Sequence, residues 1–113
     1  MEYKNKNRGY QQLRVWQHAI GYYTTTCRTL RLCSSLPQRL FLHQIATCDS
    51  IHRNIAEGYA RRSIREYINY LYIALGSLAE SVSALHAITP QNKLTVQITR
   101  CLTSRLFVSK ICF

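Results

Sequence analysis

The sequence predicts an all-α protein, an up-down-up-down antiparallel four-helix bundle. Three observations carry that expectation. Apolar residues recur every three or four positions through four segments, the period of one helix face. Short turn signals separate those segments: Cys33-Ser34-Ser35-Leu36-Pro37, Gly58, and Thr89-Pro90. The strict apolar/polar alternation of a half-buried strand is essentially absent. Connections this short between helices of about 20 residues make sequential neighbours run antiparallel.

In the first segment Leu13, Trp16, Ile20, Tyr23, Cys27 and Leu30 form one apolar seam. Ser35 or Leu36 then occupies a cap, and Pro37 suits the first helical turn, where a missing N–H costs nothing. The second segment runs from about Gln38 to Glu57 with Phe41, Ile45, Cys48, Ile51 and Ile55 inward. Gly58 is expected to end it in the left-handed conformation. Ser63, with Glu66 three residues later, reads as a capping box opening the third helix. There Ile64, Tyr67, Ile68, Leu71, Leu75, Leu78, Val82 and Leu85 make a wide apolar stripe. Gly76 inside that helix costs about 1 kcal/mol relative to alanine, and beside Ser77 it points to close approach of another helix, including one from a second subunit. Thr89-Pro90 starts a fourth helix carrying Leu94, Ile98, Leu102 and Leu106. Residues 1–9 are expected to form a basic arm, 10–108 a single bundle domain, and 109–113 a frayed tail.

A chain of 113 residues with 47% hydrophobic and 18% charged residues has enough apolar material for one core, which excludes disorder along its length. Its 15 Lys and Arg against 5 Asp and Glu give a net charge of +10. That excess must sit on the surface of a small domain, where it attracts polyanions. Nucleic acid, RNA or DNA, is the first such partner; an anionic membrane surface is the second. Five cysteines without a paired short spacing fit reduced thiols in a cytoplasm rather than a disulfide framework. The N-terminus leads into no apolar core segment, and no apolar run approaches the roughly 18 residues of a membrane span. A soluble cytoplasmic protein with no membrane partner is therefore expected.

Two groups of residues are candidates for polyanion contact. Arg61, Arg62 and Arg65 crowd the turn between the second and third helices, flanked by Tyr59 and Tyr67. Arginine forks pair with phosphate oxygens at two points, and tyrosine rings can stack on unpaired bases. The plainer reading is a solvated basic turn. Arg14, Gly21 and Arg28 lie seven apart on the first helix, with His18 and Thr25 between them, away from the apolar seam. That helix carries no acidic residue, whereas a merely solubilising face usually mixes signs. Lys4, Lys6, Arg8 and Arg31 extend the charge toward both ends.

Catalytic constellations do not emerge. Cys48 and His52, four apart, are half of a metal site without a second pair, and a buried thiol beside a satisfied histidine is the simpler account. Pairing His18 or His43 with Glu57 or Glu80 for acid–base work has no support in the spacing. Phosphate loops and nucleophile elbows are missing. No enzyme, metal or cofactor is expected. Asn54 and Glu57 are assigned a structural role at the hairpin, bonding free backbone groups or each other.

The same residues carry a family resemblance. Leu13-Arg14-Val15-Trp16-Gln17, Leu36-Pro37, Gln44, Ser50-Ile51, Asn54-Ile55-Ala56-Glu57-Gly58, Arg62-Ser63 and Gly76-Ser77-Leu78 with Glu80 resemble the four-helix bundle proteins encoded by intervening sequences in bacterial 23S ribosomal RNA genes. The similarity spans about Tyr10 to Leu85, and the Asn-Ile-Ala-Glu-Gly and Ala-x-Gly-Ser-Leu blocks are its specific part. Trp16, Asn54, Glu57, Gly58, Gly76 and Ser77 are its structural motif positions. Two departures stand out. Ile45-Ala46-Thr47 replaces the family's paired basic residues, which weakens phosphate binding by the middle of the second helix, and His52 replaces a proline, which should leave that helix straighter. The resemblance implies a four-helix bundle assembling as a homopentamer, associated with the intervening-sequence or surrounding ribosomal RNA and without known catalysis. It also implies an alternative, a protein-interaction scaffold like the accessory proteins of diversity-generating retroelements, which partner a reverse transcriptase.

Overall fold

Numbers that fall along one helix while rising along the next give the topology. The computed structural model describes residues 9–33 and 36–88. Among them a 3-10 turn, Gly9–Gln12, precedes α1 (Arg14–Leu30), α2 (Gln38–Ala60) and α3 (Ile64–Ile88), with no strand. The all-α class agrees with the sequence reading. The expected fourth helix, the tail 109–113, arm residues 1–8 and the Ser34-Ser35 pair lie outside the described residues.

Across the α2–α3 hairpin Glu57 meets Tyr70, Ser50 meets Ser77, Gln44 meets Ser81 and His43 meets Glu80, so the two helices are antiparallel. α1 is likewise antiparallel to α2. Gly9, just ahead of α1, lies against Tyr59, Trp16 packs edge-on to His52, and Thr26 neighbours Cys48. Tyr22 reaches Ser81 of α3, closing a three-helix core.

The buried stripes are rotated from the expected seams. α1 buries Ala19, Tyr22, Thr26 and Leu30, with Trp16 and Tyr23 half-buried at the flank. α2 buries Gln44, Thr47, Cys48, Ile51, Ile55 and Gly58, while Phe41 and Ile45 are half-buried. α3 buries Ala74, Leu78, Ser81, Leu85 and Ile88. Small residues explain the rotation: Ala19, Ala74 and Ser81 let the helix axes approach, and larger apolar side chains wrap the sides. Pro37 is the residue before α2 rather than its first turn, with ψ 137. α2 passes His52 without a break, for 23 residues.

The Gly58 expectation is corrected, while no described helix stands close to Gly76. Gly58 does not end α2; the helix continues to Ala60, and no described glycine has positive φ. Its function is spatial, because a Cβ there would overlap Cβ of Tyr70 and stand 3.0 Å from its Cγ. The left-handed residue is Arg62, at φ 60. Gly76, expected at a close helix approach, is exposed, and nothing in the described chain lies within 4 Å of a Cβ placed there. The capping box is half present: the Glu66 N–H donates to Ser63 Oγ at 3.4 Å.

A polar cluster sits inside the apolar core. Gln44 Nε2 donates to Ser81 Oγ at 2.6 Å and to the Ser81 carbonyl at 3.2 Å, while Tyr22 Oη and Cys48 Sγ lie 2.9 and 3.2 Å from Ser81 Oγ. Burial pushes the Tyr22 phenol well above its ordinary 10.0, against the smaller opposing pull of Ser81. Burial also raises the Cys48 thiol above 9.0. The unfolded chain therefore ionises both groups first. Their contribution is complete below about pH 9 and is lost as pH rises, by about 1.4 kcal/mol per pH unit for each ionising group. Urea midpoints should be flat from neutrality and fall above about pH 9, with the onset moving toward pH 10 in Cys48→Ala. A flat profile to pH 11 rejects this account.

The third helix also corrects the membrane reading. Ile64–Ile88 is long and apolar enough to cross a bilayer by length and composition, with a mean hydropathy of 1.4 over 18 residues. Its inner side packs on α1 and α2 in this fold, but Ile64, Ile68, Tyr72 and Ile73 of the expected stripe and its flank are exposed at 75%, 44%, 69% and 52%.

Candidate nucleic-acid interface

The hairpin turn and the start of α1 share one end of the molecule. Gly9 lies against the Tyr59 ring, Tyr59 packs edge-on to Tyr67 at 5.7 Å, and Tyr10 packs edge-on to Trp16 at 5.3 Å. These contacts bring Arg14, the first residue of α1, to the end that carries Arg61, Arg62 and Arg65. Arg28 goes elsewhere. It is fourteen residues along α1, about 21 Å at 1.5 Å per residue, toward the opposite end, where Arg31 and Arg39 are also exposed. The first group is thus assembled by the fold and the α1 heptad is split.

The arginines at the turn are not equivalent. Arg61 Nη2 donates to Glu57 Oε1 and to Tyr70 Oη, both at 3.0 Å, and Tyr70 Oη donates to Glu57 Oε1 at 3.2 Å. The Arg61 guanidinium also sits 5.4 Å from the Tyr70 ring centroid and 4.0 Å from Glu66. The Arg61 bond, then the Tyr70 bond, hold the Glu57 carboxyl below its usual range. Arg61, expected to contact phosphate, also bonds within the chain, through Nη2, to Glu57 and Tyr70. Arg62 and Arg65 are exposed and make no side-chain hydrogen bond or ion pair among the described residues.

This distinction extends over the surface. Every acidic residue described has a basic partner: Asp49 bonds His52 at 2.8 Å and Arg53 at 3.3 Å, Glu57 and Glu66 face Arg61, and Glu80 bonds His43 at 3.1 Å. Arg14, Arg28, Arg31, Arg39, Arg62 and Arg65 have no carboxylate partner among the described residues. Six unneutralised guanidinium groups on this scaffold provide bidentate donors for phosphate. Tyr59, 40% exposed, offers part of a ring face beside them.

The remaining candidates are structural. Asn54 Nδ2 donates to the Ser50 carbonyl at 2.7 Å, and Ser50 Oγ donates to Ser77 Oγ at 2.6 Å. Trp16 is half-buried in the aromatic row Tyr10, Trp16, His52, Tyr23. Cys48 and His52 do not share a site: the thiol turns to Ser81 and the imidazole to Asp49. Among the described residues no group of three or more His, Cys, Asp or Glu could hold a metal ion. The His43–Glu80 pair is more than half exposed on both sides. Sequence reasoning missed Tyr70, whose contact with Arg61 depends on the hairpin register, and Arg39. The Glu57–Arg61 pair did have a signal, its i,i+4 spacing.

Fold and surface together define a small all-α protein with an arginine-rich end. The chain belongs to the 23S rRNA-intervening sequence protein family, whose profile matches residues 11–107. No curated protein and no solved structure matches the chain.

Proposed function

We propose that this chain is a non-enzymatic, oligomeric, cytoplasmic protein that binds the RNA of the 23S intervening sequence or the ribosomal RNA around it. The observation that carries this reading is the asymmetry of pairing: the described carboxylates are all partnered, and six arginines are not. Arg14, Arg62 and Arg65 contact phosphate at the turn end, with Arg28 as a separate contact and Tyr59 as a stacking surface. The family name supports ribosomal RNA over other polyanions. The fold proposed for the whole domain is an up-down-up-down four-helix bundle, and the assembly implied by the resemblance is a pentamer.

The test is affinity for the intervening-sequence RNA, an unrelated RNA and duplex DNA between about 50 and 300 mM salt. Tighter cognate binding that persists near 200 mM supports specific recognition. Equal binding to all three, vanishing steeply with salt, rejects it. One observation favours a second reading, a protein-interaction scaffold such as a reverse-transcriptase partner: Ile68, Tyr72 and Ile73 leave apolar surface exposed on α3. That reading predicts a protein complex that survives high salt.

A further inference from the structure

The two consecutive arginines at the hairpin turn occupy opposite structural situations. Arg61 is the last right-handed residue of the turn, φ −70 and ψ −17, and its side chain ties Glu57 of α2 to Tyr70 of α3. Arg62 follows at φ 60, the position just past a helix end where glycine is strongly enriched because a Cβ there crowds the neighbouring backbone. Its N–H reaches the Tyr59 carbonyl at 3.5 Å, as in the common glycine-terminated helix ending. The Arg62 side chain receives nothing in return, since it is exposed and engages no described group. Folding alone therefore favours glycine at position 62, and the chain carries its longest cationic side chain there instead.

We infer that Arg61 and Arg62 divide the work of the turn, Arg61 as a positioning strut and Arg62 as the phosphate contact, with an arginine held in the left-handed conformation at a cost to stability. This rests on the RNA-binding reading and assigns one of its contacts to a single residue. Arg62 makes no hydrogen bond or ion pair with the Glu57–Arg61–Tyr70 cluster, so its guanidinium is not neutralised by Glu57.

Four proteins decide it: native, Arg62→Gly, Arg62→Lys and Arg61→Gln, each measured for thermal unfolding and for binding the intervening-sequence RNA across salt. Arg62→Gly is expected to melt a few degrees higher, with the greater freedom of glycine in the unfolded chain offsetting part of the gain. Its salt slope should drop by about 0.7 on a single strand, the loss of one contact. Arg62→Lys should retain the native slope. Arg61→Gln should melt lower and keep the slope. An Arg62→Gly protein with native slope, or an Arg61→Gln protein whose slope falls by one contact, overturns the division. A native protein with no salt-dependent RNA binding overturns the functional reading itself, and is recognised before any variant is compared.

Discussion

Replacing Gly58 by alanine is expected to destabilise the protein by about 3 kcal/mol, the upper end of what overpacking costs. The added Cβ would overlap Cβ of Tyr70. Both atoms are fixed directly to their backbones, so no rotamer change relieves the contact and α2 and α3 must move apart. Separation would also stretch the Tyr70–Glu57 bond at 3.2 Å beside it. Against a total stability of roughly 5–15 kcal/mol for a small domain, that is a large fraction. Urea unfolding measures it, and Gly76→Ala is the internal control. A Cβ at position 76 meets no atom of the described residues within 4 Å, so that variant gains helix propensity, up to about 1 kcal/mol. Equal effects of the two substitutions would refute the spatial account of Gly58.

The second large effect concerns binding. Substituting Arg14, Arg62 and Arg65 together by alanine should weaken RNA binding roughly hundredfold at about 100 mM salt, on the order of 1 kcal/mol for each exposed contact. The salt slope should fall by about two, three contacts at 0.7 each on a single strand. Helicity should be retained, because none of the three side chains bonds within the described chain. The pair Arg31 and Arg39 at the opposite end, outside the proposed contacts, separates location from charge count. If that pair loses as much affinity per arginine as the triple, the protein attracts RNA by net charge and the turn end is no special surface.

Periodicity disclosed the three described helices, and charge composition is what makes a polyanion the partner to test. The 3.6-residue pattern placed α1, α2 and α3 within a few residues of their observed limits, because each helix buries one side. The exact inward direction was not legible. Threonine, serine and glutamine at Thr26, Ser81 and Gln44 read as polar, yet all three are fully buried, with Gln44 Nε2 bonded to Ser81 and Thr26 beside Cys48. Gly58 was recognised as special for the wrong reason. Glycine serves both left-handed backbone and close packing, and only the position of Tyr70 across the hairpin tells which. The candidate surface was half legible. The arginine cluster is contiguous in sequence, but the neutralisation of Arg61 needs Tyr70, nine residues away on the next helix. That Arg14 joins this end while Arg28 leaves it follows from the antiparallel return of α1, which a heptad cannot show.

If RNA binds at Arg14, Arg62 and Arg65 as proposed, their placement at an end rather than along a side sets how much ligand those contacts occupy. Three helices of about 10 Å diameter present an end roughly 20 Å across. A nucleic-acid strand advancing 3.4 Å per residue crosses that face in about six nucleotides. α3, with 25 residues, extends about 37 Å away from it. A protein seated this way stands upright on its ligand like a bristle, covering a short footprint and leaving its flanks free. Occupancy along an RNA would then be limited by the width of the protein and not by its length, and neighbouring copies would meet side to side.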